Sequence, residues 1–214
     1  MFETALIALT TFFATVGPLD VAVSFAAMTA DHSAAERRAV AVKGILIATG
    51  ILLVFVVFGK AVLALFGISL PALRIAGGIL LFLIAVEMVF VRPSGGTSTT
   101  REENKEATTR PDISVFPLAT PLIVGPGTIS AVILLMAEAH GDLVRIGLVV
   151  GPLAAILLLT FVLMIAAAQV QRVLGITGVH VVSRIVGILF AALAVQFVLQ
   201  GLAEVSTLFQ TPAG

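Results

Sequence analysis

Six apolar runs, at 4–30, 39–66, 71–91, 113–139, 146–170 and 181–203, take up nearly all of the 214 residues. Each is near or above the roughly 20 residues that a helix needs to cross hydrocarbon. Inside a bilayer every backbone N–H and C=O must pair within the spanning structure, which leaves helices or a closed barrel. The alternation of apolar and polar residues that marks a membrane barrel is absent, so the runs read as helices. Composition agrees: 59% of residues are hydrophobic, 11% are charged and mean hydropathy is +1.18, far outside the range of soluble domains. The sequence predicts an all-α polytopic membrane protein with six transmembrane helices.

The first run carries Glu3 with no Lys or Arg before it, and it is too long for the apolar stretch of a secretion signal. It is expected to remain as a span. The absence of cysteine excludes disulfides and thiolate metal ligands, and His32, His140 and His180 stand at no metal-ligand spacing, so neither a metal nor a cofactor is expected. Net charge is zero, and no basic arm or stacking platform for nucleic acid is present.

Cations set the expected orientation. Arg37, Arg38 and Lys43 flank the first connection, Arg92, Arg101, Lys105 and Arg110 crowd the third, and Arg172 marks the fifth. The second and fourth connections offer only Lys60 and Arg145. The positive-inside rule then puts the odd connections in the cytoplasm and both termini outside a cytoplasmic (inner) membrane. The third connection, 92–112, is rich in Ser, Thr, Gly and charge, and reads as a cytoplasmic linker.

That linker separates two similar halves, 1–91 and 113–214, expected to form one membrane domain. At an offset near 108, VGPLDVAVSFAAM (16–28) falls on VGPGTISAVILLM (124–136), Arg37 on Arg145, and LFGIS (65–69) on VLGIT (173–177). After a two-residue slip RIAGGIL (74–80) falls on RIVGILF (184–190). Four matches in one order point to an internal duplication. Three spans per half is an odd number, so the second copy must run through the membrane upside down, an inverted repeat of the kind transporters use.

Spans 1 and 4 carry the motif that decides where a site would lie. Pro18 and Pro126 each remove a backbone donor and clash with the preceding turn, and the adjacent Gly17, Gly125 and Gly127 add freedom. Both spans should therefore break at their Gly-Pro motifs. Broken backbone inside lipid is tolerated only where protein or a water-filled cavity covers it. Helix segments starting at the breaks would each present free N–H groups and about half a positive charge to a carboxylate, and the carbonyls before them suit a cation or an ammonium. The expected lining is Thr11, Thr15, Gly17, Pro18, Asp20 and Ser24 from the first half, and Thr120, Pro121, Gly125, Pro126, Gly127, Thr128 and Ser130 from the second. These residues are small and polar, so a small polar cavity is expected. Asp20 either caps a helix or binds an ion, since intramembrane acids mark ion paths by default. Arg74 and Arg184, each opening an R-I-x-G segment, are structural or gating candidates.

These residues carry a resemblance. FFATVGPLDVAVSFAAMTADHSAAERRAVAVKG, LFGISLPALRIAGGILLFLIAVEM, ISVFPLATPLIVGPGTIS and RIVGILFAALAVQ together resemble the MarC family of six-span bacterial and archaeal membrane proteins. That family is also grouped as neutral amino acid transporters related to the LysE exporter superfamily. The resemblance implies uptake or export of small neutral amino acids such as alanine and glycine. One departure stands out: the family's first break is usually Asn-Pro or Asp-Pro, whereas here Gly17 precedes Pro18 and the acid, Asp20, lies beyond it.

The expected function is secondary transport of a small zwitterion by rocking of the two repeats, compatible with coupling to H+ or Na+. A passive channel or efflux route and a non-transporting structural membrane protein are the alternatives. No P-loop, H-E-x-x-H or G-x-S-x-G is present, so the chain is not read as an enzyme. Six spans leave little protein to surround a midplane cavity, which favours a homo-oligomer in the lipid bilayer.

Overall fold

The structure, a computed structural model, describes residues 2–29, 32–90 and 113–210, leaving aside the side chains of residues 27, 168–180, 182, 183, 186 and 206–210. The linker at 92–112 lies outside the described residues. The regular structure is helical: α1 (Phe2–Val16), α2 (Pro18–Met28), α3 (Ala34–Leu65), α4 (Leu70–Phe90), a wide-turned segment π1 (Ser114–Ile123), α5 (Pro126–Glu138), α6 (Leu143–Ile165) and α7 (Ala167–Gln210). Phe2–Ala26 counts as one span, and π1 with α5 as another, so six segments are long and apolar enough to cross a membrane. The all-α polytopic expectation is met.

Local chemistry explains most boundaries. A capping box starts α3: Glu36 N donates to Ser33 Oγ at 3.3 Å, and Ser33 N donates to Glu36 Oε2 at 2.8 Å. Gly67, at φ +64°, turns the chain between α3 and α4, and Ser69 Oγ accepts from Ala72 N at 3.3 Å. Gly141, at φ +80°, turns it again before Asp142, whose Oδ1 caps α6 through Val144 N at 2.9 Å.

The fifth connection differs from expectation. The chain turns at Ala166 and then runs as one helix of 44 residues, so Arg172 and VLGIT (173–177) are helical where LFGIS (65–69) is a turn. The stretch after Ala166 holds no proline, and an internal glycine costs a helix only about 1 kcal/mol, which is too little to end it. At 1.5 Å per residue α7 is about 66 Å long, twice the hydrocarbon thickness, and its apolar crossing window is Gly187–Val205.

The two broken spans sit in the middle. Half of the apolar window of Phe2–Ala26 is buried, against 22 to 33% for α3, α4, α6 and Gly187–Val205. In α5 every side chain from Ala131 to Ala137 is buried. On one side α3 and α6 pack around them through Ala41, Ala48, Leu52, Val149, Leu153 and Ile156. On the other, α4 and α7 close over Ala14 and Leu134 with Leu81, Ala85, Phe190, Ala194 and Phe197. α4 and α7 run antiparallel in closest approach: Gly78 faces Ala194 and Val198, Gly187 faces Ala85 and Met88, and Gly201 faces Pro71 and Ile75.

Candidate functional site

The first break is a single residue. Gly17 adopts φ 60°, ψ 60°, the left-handed conformation that costs an L-residue about 1–2 kcal/mol. Pro18 then starts α2 at its first position, where the missing N–H is not needed. Gly17 N still donates to Phe13 O at 3.1 Å and Val21 N to Gly17 O at 2.9 Å, so the chain passes through the break as one span.

The second break is longer and sharper. Phe116 and Thr120, each preceding a proline, are extended at φ −129° and −133°, as the proline ring demands of its neighbour. The turns around them widen to i+5 spacing, with Leu118 N on Ile113 O at 3.2 Å and Val124 N on Ala119 O at 2.9 Å. α5 restarts at Pro126, and the axis bends by 57° between π1 and α5. The disruption thus covers ten residues before Gly125 as well as the Gly-Pro pair itself.

The two breaks meet. Thr128 Oγ1 donates to Thr15 O at 3.0 Å, across 113 residues of sequence, and lies 3.3 Å from Ile123 O. Thr15 stands three residues before Pro18, and Ile123 three before Pro126. A single hydroxyl therefore serves the corresponding carbonyl of each break. Among the described residues neither carbonyl receives the i+4 amide that a continuous helix would supply. Thr15, Thr128 and Ile123 are 2%, 0% and 0% exposed. A Cβ on Gly127 would make ordinary contact with Thr15 Cγ2 at 3.7 Å and would lie 2.8 Å from Ile84 Cδ1 of α4.

The remaining expected residues divide. Thr11 is buried one turn before Thr15 and its carbonyl accepts from Thr15 Oγ1 at 3.0 Å, while its own Oγ1 has no hydrogen-bond partner. Asp20 is half-buried and folds back over the first break, with Oδ2 3.4 Å from where a Gly17 Cβ would be. Ser130 faces Gly77 of α4. Pro18 and Gly125 are buried, Ser24 and Pro121 are half-buried, and Pro126 is exposed. Thr120 stays with its own segment, donating to Val115 O at 3.2 Å. The two cavities described lie elsewhere: one of 270 Å³, walled by Leu52, Leu153 and Phe161, sits between α3 and α6, and one runs along α3 beside Arg38 and Lys43. At the breaks Thr11, Thr15, Ile123 and Thr128 are buried.

Arg74 and Arg184 do not share a setting. Arg74, its side chain 12% exposed, donates from Nη2 to Glu138 Oε1 at 2.5 Å and from Nη1 to Glu204 Oε1. One guanidinium thereby ties the start of α4 to the ends of α5 and α7. Arg184 is exposed. By sequence offset the residues that correspond to Glu138 and Glu204 are Ala30 and Ser94, neither of them acidic and both outside the described residues. Neither Glu138 nor Glu204 stands out in the sequence. The available signal was topological, because alternating spans bring the start of the third and the ends of the fourth and sixth to one side of a membrane.

Comparison with known proteins places this arrangement. The chain is 37% identical over 190 residues to the UPF0056 membrane protein YvbG of Bacillus subtilis, covering 89% of this chain and 90% of that one. It is 36% identical to the UPF0056 membrane protein YhcE of Escherichia coli, covering 89% and 87%, and 38% identical to a UPF0056 membrane protein of Archaeoglobus fulgidus, covering 91% and 90%. No solved structure matches the chain. The pattern of the MarC family integral membrane proteins matches residues 2–206, and the chain belongs to that family.

Proposed function

We propose that this MarC-family membrane protein is a secondary transporter that moves small neutral amino acids, or similar small zwitterions, across the cytoplasmic membrane. The observation that carries the reading is the meeting of two proline-broken spans at the centre of the bundle, with Thr128 bridging Thr15 O and Ile123 O. Broken backbone at membrane depth is tolerated only where protein or a water-filled cavity covers it, and in transporters such breaks form the solute and ion sites. The N-terminal amides of α2 and α5 suit a substrate carboxylate, and the freed carbonyls suit an ammonium. The inverted repeat is part of this proposal, supported by the antiparallel pairing of α4 with α7 and by the paired carbonyls. Transport is rocking of the halves about Gly17 and Gly125, with H+ or Na+ gradients as the energy source and both termini outside. Arg74 closes one end by holding Glu138 and Glu204, and Arg184 is exposed.

Counterflow of labelled alanine and glycine in proteoliposomes tests the reading. Wild-type protein should exchange both saturably, and Pro126→Ala, which removes the fixed φ at the first position of α5, should reduce exchange at least about tenfold. Non-saturating flux without counterflow would favour a channel instead. No flux of either solute in folded protein would remove the amino-acid reading.

A further inference from the structure

We infer that Thr15 O, Ile123 O and Thr128 Oγ1 form a binding site for a small monovalent cation, Na+ in the first instance. The inference rests on the transporter reading and names the ion that the same breaks would take.

The argument is one of donors and acceptors. Two main-chain carbonyls converge on one hydroxyl, at 3.0 and 3.3 Å, in surroundings where all three residues are at most 2% exposed. A hydroxyl has one proton, so it satisfies two carbonyls only by sharing that proton between them. The cluster is therefore rich in oxygen lone pairs and poor in donors. Thr11 adds to the excess: its Oγ1 is buried one turn from Thr15, on the same helix face, with no hydrogen-bond partner. Under low dielectric an unbalanced set of oxygens is costly, and a cation balances it at once. Carbonyl oxygens from unwound helix, joined by a hydroxyl that rotates to offer a lone pair, are suitable ligands for such an ion.

Valence and size follow from the same ligands. The carbonyls and the hydroxyl are neutral, and divalent ions generally need several carboxylates to offset their dehydration. None of the three ligands is a carboxylate, which matches a monovalent ion. The close spacing of the oxygens favours a small one. Sequence spacing alone would not locate this site, because two of its ligands are main-chain atoms.

Thermal unfolding in detergent, with NaCl exchanged for choline chloride at constant ionic strength, tests the site directly. Wild type should gain stability saturably with Na+. Thr128→Ser should keep the response, and Thr128→Val should raise the half-saturating Na+ concentration about tenfold or more, a loss of ~1.4 kcal/mol in binding. If Thr128→Val does not fold, Thr128→Ala takes its place. No Na+-specific stabilisation of wild type, or an equal response in Thr128→Val, overturns the inference. Counterflow run in parallel separates the two readings: exchange that ignores Na+ leaves a carrier without this site, whereas Na+ stabilisation without alanine or glycine exchange keeps the site and removes those solutes.

Discussion

Gly17 holds a conformation that an L-residue adopts at a cost of about 1–2 kcal/mol, and no neighbour could relieve that cost. Gly17→Ala should lower stability by about that amount. Gly17→Asn should lower it less, because asparagine visits the left-handed region more readily. Denaturant titration of the two variants in one detergent checks the order; equal losses would mean that contact with Asp20, rather than φ, sets the cost. At this scale the sequence displayed Gly17, Pro18, Pro126 and Thr128 plainly, since proline and glycine declare backbone constraints by type. It did not display what Thr128 binds. Its acceptors are carbonyls of Thr15 and Ile123, and a main-chain oxygen leaves no mark in the residue code.

Two sets of helical glycines differ sharply in what a methyl would meet. At Gly78 an added Cβ would lie 2.9 Å from Ala194 O, at Gly187 3.0 Å from Ala85 O, and at Gly201 3.0 Å from Pro71 O. These are backbone atoms that cannot move aside singly. Gly78→Ala, Gly187→Ala and Gly201→Ala should each destabilise by about 1–3 kcal/mol, the range for overpacking. Gly50, Gly147 and Gly151 have nothing within 4 Å, so alanine there should be neutral or stabilising. Thermal scans of the six single variants decide it, and similar losses in both groups would contradict the antiparallel α4–α7 contact. Element identity was legible because apolar length sets it. The fifth connection was misread, since VLGIT resembles the LFGIS turn in letters while lacking any residue that forces a turn. The capping signal S-x-x-E at Ser33 and Glu36 was present in the sequence, yet the apolar run begins at residue 39, six after Ser33, and drew the boundary with it. The width of π1 depends on two prolines acting four residues apart, which periodicity does not register.

At the scale of the molecule, Arg74 joins the first half to the second through Glu138 and Glu204. Both carboxylates are partly exposed, so the cluster lies between a surface pair and a buried one. Arg74→Gln should cost on the order of 1–3 kcal/mol in stability, and Arg74→Lys less, because a point charge cannot serve two carboxylates with a planar fork. The same loss in Glu138→Gln alone would show that a single pair carries the effect. The overall bundle was legible from six apolar runs, whereas the central position of spans 1 and 4 follows from which faces bury, and nearly uniform hydrophobicity conceals that. The claim that joins fold to function is that the two breaks touch and must move for solute to pass. The chain has no native cysteine, and a Cβ on Gly127 would stand 3.9 Å from Thr15 Cβ, within the 3.5–4.5 Å span of a disulfide. Thr15→Cys paired with Gly127→Cys, oxidised and then reduced in proteoliposomes, is the most direct measurement. The expected result is ready cross-linking, with alanine counterflow halted in the oxidised form and restored on reduction. Failure to cross-link in folded protein, or undiminished exchange across the closed disulfide, would contradict it.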